Sequence, residues 1–353
     1  MQAKHLRKLK TLAWICLFTC LAGVFYQLIH EGRLDHNSVI VGFPLGLGFG
    51  ILELYLFPKA QIWVGQWSFT KMLVVKTLLY TALIYKVTLA LMLVAGWVEG
   101  RKLSELASFL GSTRQLILVL YTLIIYNLLI FILQVNHLLG EGNLWKFILG
   151  KYHKPREEER IFMFLDMKSS TTIAEQLGHV RFYSLLNELF HEISQPVLAT
   201  KAQIYQYVGD EVVLTWEMKQ GLEKANCLKM FFLFQQSLLG NKEKYLKKYG
   251  LQPEFKAGLH CGKVISAQIG DLKREIVYNG DVLNTTARIQ HACNHYGCDC
   301  LVSGILLNQL KGISEYEWER LDKVTLRGKE TEVELFRVVN LHLSSSHPIL
   351  VKL

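Results

Sequence analysis

The sequence predicts two architectures in series: a four-helix transmembrane bundle, then an α/β (α+β) sandwich with a mostly antiparallel sheet. Three observations predict it. Residues 1–150 carry four apolar runs of bilayer-spanning length. From residue 161 the apolar runs shorten to the lengths of buried strands and amphipathic helices. Several of those short runs meet at turn residues, as hairpin strands do. Charge divides along the same line. Residues 1–150 hold 13 Lys and Arg against 6 Asp and Glu, a net +7, and the remainder holds 26 against 24, a net +2. The overall +9 therefore belongs to the membrane half, where the partner is a lipid bilayer. The soluble half has no basic stripe, which argues against a nucleic-acid partner. Seven scattered cysteines, an odd number without a regular framework, suit free thiols in a reducing compartment.

The four spans run roughly Thr11–Ile29, Ser38–Phe57, Met72–Val98 and Arg114–Leu139. Lys4, Arg7, Lys8 and Lys10 precede the first span, and Lys146, Lys151, Lys154 and Arg156 follow the last. An even number of spans puts both basic flanks on one side, which the positive-inside rule makes cytoplasmic. The expectation is a multi-pass protein of the cell (inner) membrane with both termini inside. Gly42, Gly46 and Gly50 recur every four residues and read as a small-residue face for close helix packing, not a phosphate loop. Glu53 and Lys76 lie at similar depth on consecutive spans, so they either pair or each snorkel to the interface. Lys86 lies near mid-span with no acidic residue at its depth. The expected division is 1–139 for the spans, 140–160 for a linker with a short transducing helix, 161–340 for the soluble domain and 341–353 for a tail.

In the soluble half, IFMFLDM reads as a buried strand ending at Asp166, and KSSTTIAEQLG as the start of a helix. Residues 179–198 have helical apolar spacing. IYQYV and VVLTW flank Gly209-Asp210-Glu211 and read as a hairpin. A helix over 222–249 follows. FKAGLHCGKVISAQIG reads as strand, turn, strand; DVLNTTARIQHAC as a helix; CLVS as a strand; and VTLRGKETEVELFRVV as a closing hairpin. Pro155 and the charged run after it read as a break ahead of this domain.

Asp166 ends one strand and Asp210 sits in the turn of the next hairpin. If the strands pair, two carboxylates face one spot, a hard-oxygen set suited to magnesium with positions left for phosphate oxygens. Ser169, Ser170 and Thr171, at a helix N-terminus, offer backbone amides to the same phosphates. These residues point to a metal-dependent nucleotide or phosphate enzyme. HACNHYGCDC (291–300) is dense in Cys and His but lacks a Cys-x-x-Cys pair, and reads as core and loop thiols more readily than as a zinc site.

Taken in order, these motifs resemble the catalytic domain of class III nucleotidyl cyclases, of the membrane-anchored bacterial type. IFMFLDMKSST and YVGDEVV are similar to its two metal motifs, AGLHCGKV to its Gly-x-His-x-Gly segment, GDVLNTTAR to its transition-state helix, and LRGKETEVELFRV to its closing hairpin. The resemblance implies a cyclase-type fold, ATP converted to 3′,5′-cyclic AMP and pyrophosphate, and two Mg²⁺ or Mn²⁺ ions per active site. It assigns the metals to Asp166, Asp210 and the Met167 carbonyl, catalysis to Asn284 and Arg288, and the terminal phosphates to Arg327 with Lys329. It further implies a homodimer with sites across the interface. The positions that usually read the purine hold Gln206 and Val277. Val277 cannot hydrogen-bond through its side chain, and Gln206 can donate to or accept from either purine, so GTP stays open beside the favoured ATP. The competing readings are a dual-purine or guanylate cyclase, and a silent nucleotide-binding domain. Glu211 is expected to point away from the metal pair.

Overall fold

The structure, a computed structural model, describes residues 2–32, 37–58, 69–99, 112–139, 150–272, 274–310, 315–325 and 332–340. The chain forms two compact units, residues 1–138 and 139–353.

The first unit consists of α1 (Gln2–Glu31), α2 (Asn37–Ile51), α3 (Phe69–Glu99) and α4 (Thr113–Leu139), with a π turn, Leu52–Leu56, extending α2. Each contains a stretch long and apolar enough to cross a membrane. Ile15, Leu45, Phe49, Tyr80, Ile84 and Tyr126 form the interior of the unit. Large apolar side chains also face outward, among them Trp14, Leu21, Leu78, Ile124 and Phe131. A helix apolar on all sides needs an apolar surround, which a bilayer supplies. The glycine row of α2 packs on α1. A Cβ at Gly42 would lie 2.8 Å from the Thr19 carbonyl oxygen, one at Gly46 2.0 Å from Thr19 Oγ1, and one at Gly50 2.2 Å from Leu12 Cδ1. Of the two readings of Glu53 and Lys76, the ion pair is the one formed: Lys76 Nζ donates to Glu53 Oε1 at 2.8 Å and Oε2 at 3.0 Å, and the Tyr80 hydroxyl joins them. Glu53 lies in the π turn, whose wider winding loosens the backbone ladder. The neighbouring Leu54 carbonyl accepts from Lys8 Nζ at 2.5 Å. Lys86 lies on an exposed face of α3.

The second unit is built on an eight-stranded sheet: β1 (Arg156–Met167), β2 (Gln203–Val208), β3 (Glu211–Glu217), β4 (Phe255–Ile269), β5 (Glu275–Asn279), β6 (Cys300–Ser303), β7 (Tyr316–Thr325) and β8 (Glu332–Asn340). The spatial order is β2-β3-β1-β4-β6-β8-β7, with β5 also paired to β4. Every pairing is antiparallel except β4 with β6. The helices are α5 (Ser170–Leu177), α6 (His179–Glu192), α7 (Ser194–Ala199), α8 (Met218–Leu222), α9 (Asn226–Gly240), α10 (Lys242–Tyr249), α11 (Asp281–His295) and α12 (Gly304–Gln309). Strand alternation gives the sheet two apolar faces. Ile161, Met163, Leu165, Val212, Leu214 and Trp216 pack with α6 and α9 in the main core. On the other face Phe162, Val213 and Val264 meet Val282 of α11.

Several elements differ from the sequence expectation. Residues 255–269 are one continuous strand, not strand, turn, strand. The glycines that read as a turn serve as a seat for α11 instead: a Cβ at Gly258 would lie 2.3 Å from the Gln290 amide nitrogen, and one at Gly262 2.8 Å from Val282 Cγ2. The charged run after Pro155 opens β1. Its Arg160 is fully buried, bonded to Thr215, Glu158 and Gln203, with its guanidinium 4.6 Å from the Tyr278 ring. The helix expected over 179–198 divides at Ile193, because Pro196 has no N–H to continue the ladder. The one expected over 222–249 divides near Asn241.

The Gly258 contact predicts a pair of opposite stability effects in the full chain. Gly258→Ala forces β4 and α11 apart and is expected to cost about 1–3 kcal/mol. Gly240→Ala, at the end of α9 with nothing within 4 Å of its added Cβ, is expected to be neutral or to stabilise by up to about 1 kcal/mol. Thermal unfolding of the two variants in detergent checks both.

Candidate active site

The site forms where β1, β4, the β2–β3 hairpin and α11 converge. Ile161, Met163, Leu165 and Met167 of β1 enter the main core, so alternation turns Asp166 to the opposite face, beneath α11. The hairpin closes with the two-residue turn Gly209-Asp210 between the paired residues Val208 and Glu211. Gly209 has φ +64°, a left-handed conformation that glycine adopts without strain. This turn brings Asp210 to Asp166. Burial, with the Asp166 carboxylate beside it, holds the Asp210 carboxyl above its usual range, and the Ser170 hydroxyl offsets part of that.

Glu211 does not point away. Leu165 pairs with Val212 across β1 and β3, and one step further along that register sets Glu211 opposite Asp166. Burial and the charges of Asp166 and Asp210 push its carboxyl up to about 7. The sequence reading stopped at the turn. The signal was the strict alternation of β3, in which Glu211, Val213 and Thr215 share a face.

Two further residues, which sequence reasoning missed, hold Asp166, and a third holds one of them. Lys256, directly opposite it in the β1–β4 register, places Nζ 3.2 Å from Asp166 Oδ2. Gln290 Nε2 donates to the same oxygen at 3.0 Å. Asn294 accepts from Lys256 Nζ at 2.9 Å. Gln290 and Asn294 are four residues apart and so share a face of α11. Nothing local in the sequence marks these contacts, which come from strand register and from α11 lying on glycine.

The donor set fits a divalent cation. Asp210 Oδ2 is buried and has no hydrogen-bond partner, which is costly for a carboxylate unless something positive engages it. Among the described residues no cluster of three or more His, Cys, Asp or Glu forms a closed metal cage. Asp166 and Asp210 would supply two ligands, with other positions left to backbone, water and phosphate oxygens, the pattern magnesium favours. The Met167 side chain is in the core, so only its carbonyl is available to the site. The Cys and His of 291–300 do not form a metal cluster among the described residues: Cys293, Cys298 and Cys300 are buried, and Cys293 Sγ donates to the Ala257 carbonyl at 3.4 Å. His260 of the glycine motif is buried against Ser303 Oγ at 2.7 Å, which ties β4 to β6.

Ser169 sits at φ 55°, ψ 30°, a strained left-handed conformation for a non-glycine residue, two residues after the end of β1. It starts α5, with Ser170 half-buried and Thr171 exposed. Asn284 is exposed and Arg288 half-buried on α11. No hydrogen bond or ion pair among the described residues joins either to Asp166 or Asp210. Gln206 is exposed on β2 and Val277 half-buried on β5. Their neighbours make the contact between these strands: the Tyr278 amide donates to the Tyr205 hydroxyl at 3.4 Å, with the two rings 5.1 Å apart. Arg327 and Lys329 lie outside the described residues.

Fold and carboxylate pair together define a class III cyclase catalytic domain. Residues 152–340 match the family described as adenylate and guanylate cyclase catalytic domain, and the chain belongs to that family. It is 36% identical over 191 residues to "Adenylate cyclase 2" of Rhizobium meliloti (strain 1021), covering 54% of this chain and 53% of that protein. It is 24% identical over 184 residues to "Adenylate cyclase" of Anabaena cylindrica, covering 50% of this chain and 36% of that one. The chain thus spans about half the length of the first relative and about a third of the second. A solved bacterial light-regulated adenylyl cyclase shares the fold, with a TM-score of 0.52 at 18% identity, covering 65% of this chain and 67% of that one.

The crowding of Asp166, Asp210 and Glu211 predicts a trade of stability against metal binding. Asp210→Asn is expected to raise the melting temperature in EDTA, by relief of about 1 kcal/mol of like-charge repulsion. The same change is expected to abolish the further rise that Mn²⁺ gives the parent. Thermal unfolding with and without Mn²⁺ checks both.

Proposed function

We propose that the chain is a membrane-anchored adenylate cyclase that converts ATP to 3′,5′-cyclic AMP and pyrophosphate. The observation that carries this reading is the opposed pair Asp166 and Asp210, with a buried carboxylate oxygen of Asp210 left without a protein partner. Two Mg²⁺ or Mn²⁺ ions bound there would activate the ribose 3′-hydroxyl and neutralise charge on the phosphates. Asp166 and Asp210 hold the metals, with the Met167 carbonyl as a further ligand. The backbone amides of Ser169, Ser170 and Thr171 meet the phosphates at the start of α5. Arg288 offsets charge developing at the α-phosphoryl group, Asn284 orients the ribose, and Arg327 with Lys329 binds the terminal phosphates.

Asn284 is exposed and Arg288 half-buried on α11, and no hydrogen bond or ion pair among the described residues joins either to Asp166 or Asp210. That placement supports a homodimer in which each site takes its metal pair from one chain and Asn284 with Arg288 from the other. The basic flanks of the spans support cytoplasmic termini, with the catalytic unit facing cellular ATP. Gln206 carries the base contact, and its amide tolerates GTP as well.

Two outcomes check this reading. Arg288→Ala alone is expected to lower kcat about 10²–10³-fold, and Asp166→Ala to abolish activity. An equal mixture of the two variant chains is expected to recover roughly a quarter of parental activity, because half the dimers regain one of their two sites. A mixture that forms heterodimers yet stays inactive contradicts the shared site. Separately, Gln206→Lys is expected to raise the ATP-to-GTP activity ratio at least several-fold; an unchanged ratio removes Gln206 from the base contact.

A further inference from the structure

We infer that Arg160 is a positioning residue of the base site: its buried guanidinium holds the strands that carry Gln206 and Val277 at a fixed separation, and so sets the affinity for the purine. The inference rests on the base contact proposed for Gln206 and deepens it, by naming what keeps that contact in place.

Alternation puts Arg160, Phe162, Phe164 and Asp166 on one face of β1, opposite the residues that enter the main core. Arg160 is fully buried there. Its Nε donates to Thr215 Oγ1 of β3 at 3.0 Å. One Nη donates to Glu158 Oε2 of its own strand at 3.0 Å, and the other to Gln203 Oε1 of β2 at 2.8 Å. The guanidinium carbon lies over the Tyr278 ring of β5, 4.6 Å from its centroid. A planar group with five donors in fixed directions can serve four strands at once, which a lysine ammonium cannot.

β2 and β5 are not neighbours in the sheet: β3, β1 and β4 lie between them. They meet across this face. The Tyr278 amide donates to the Tyr205 hydroxyl at 3.4 Å, the two rings are 5.1 Å apart, and the Phe162 ring packs on Tyr278 at 5.6 Å. A bulge accompanies the contact. Ile204 pairs with Leu214 and Gln206 already with Val213, so Tyr205 is the extra residue, and it joins the cluster of Phe162 and Tyr278. Gln206 follows Tyr205, and Val277 precedes Tyr278. Each base position is therefore one residue from the tyrosine clasp that Arg160 supports.

Without the guanidinium, Gln203 and Tyr278 both lose their link to β1, and the spacing of β2 and β5 is no longer fixed. A base contact built on those strands weakens. The phosphates are proposed to meet Asp166, which lies six residues from Arg160 along β1, about 20 Å in an extended strand. Loss of Arg160 is thus expected to separate base affinity from phosphate affinity. An arginine that only stabilised the sheet would lower the melting temperature without that split.

The test is cyclic AMP formation by the full chain in detergent, with the KM for ATP and the inhibition constant of tripolyphosphate, which has no base, measured for each variant. Arg160→Met is expected to raise the KM for ATP at least about tenfold. Its kcat and its inhibition constant for tripolyphosphate are expected to stay within about threefold of the parent. Arg160→Gln replaces it if that chain does not fold, with the same expectation. Tyr205→Phe, which removes only the acceptor of the Tyr278 amide, is expected to raise the KM about threefold. Leu238→Ala, in the main core, is expected to lower the melting temperature and leave both constants unchanged. An unchanged KM in a folded Arg160 variant overturns the inference, as does an equal rise in both constants or a matching rise in KM for Leu238→Ala. A Gln206→Ala chain with parental KM, beside the expected split in Arg160→Met, overturns the role of Gln206 instead. A parent that makes no cyclic nucleotide overturns the cyclase reading and the inference with it.

Discussion

The catalytic unit depends on a missing side chain. Gly258 lets the backbone of α11 rest on β4 so closely that a single Cβ would meet the Gln290 amide nitrogen at 2.3 Å. Gly262 does the same for Val282, about two helix turns earlier on α11. Because α11 sits that close, Gln290 and Asn294 reach Asp166 and Lys256, and Val282 seals the second apolar face of the sheet. The same helix carries Asn284, which is exposed, and Arg288, which is half-buried. One helix, placed by two glycines, thus braces the Asp166 carboxylate and also carries Asn284 and Arg288, the residues proposed to act in catalysis. A methyl group at Gly258 would act on all of this together, because close-packed interiors transmit small displacements.

The N-terminal unit uses the same device. Gly42, Gly46 and Gly50 bring α2 onto α1, and in a bilayer, where no hydrophobic drive between helices would operate, such packing contacts would supply the attraction. Several polar groups in that unit are matched. Glu53 takes Lys76 and Tyr80, and the carbonyl of Leu54 in the π turn takes Lys8. A partly buried pair such as Glu53 with Lys76 gains little over an apolar pair of similar size, but loss of one partner would cost about 3–5 kcal/mol. The pair links the π turn that extends α2 to α3.

Much of this architecture was legible along the chain. The spans were marked by length, the hairpin by Gly-Asp between β-branched runs, and the glycine row by its spacing of four. Asp166 and Asp210 were legible as a pair because each ends a strand or sits in a turn. What was not legible depends on register between distant strands. The opposition of Lys256 to Asp166 joins residues 90 positions apart, and no local pattern encodes it. Glu211 was misjudged because a turn residue was considered without following the alternation into β3. Gly258 and Gly262 were read as a turn because glycine breaks strands more often than it seats helices. Gln206 and Val277 remain a departure that the fold accommodates without explaining: Tyr205 and Tyr278, one residue from each, join their strands.

The proposed function stands on the paired carboxylates of Asp166 and Asp210 as the metal centre of a nucleotidyl cyclase. The most direct measurement is product formation by the full chain in nanodiscs supplied with ATP and Mn²⁺, with cyclic AMP and pyrophosphate both quantified. The two products are expected in equal amounts, with formation abolished by EDTA. ATP consumed to ADP and phosphate, or no cyclic nucleotide from either ATP or GTP by a folded chain, would contradict it.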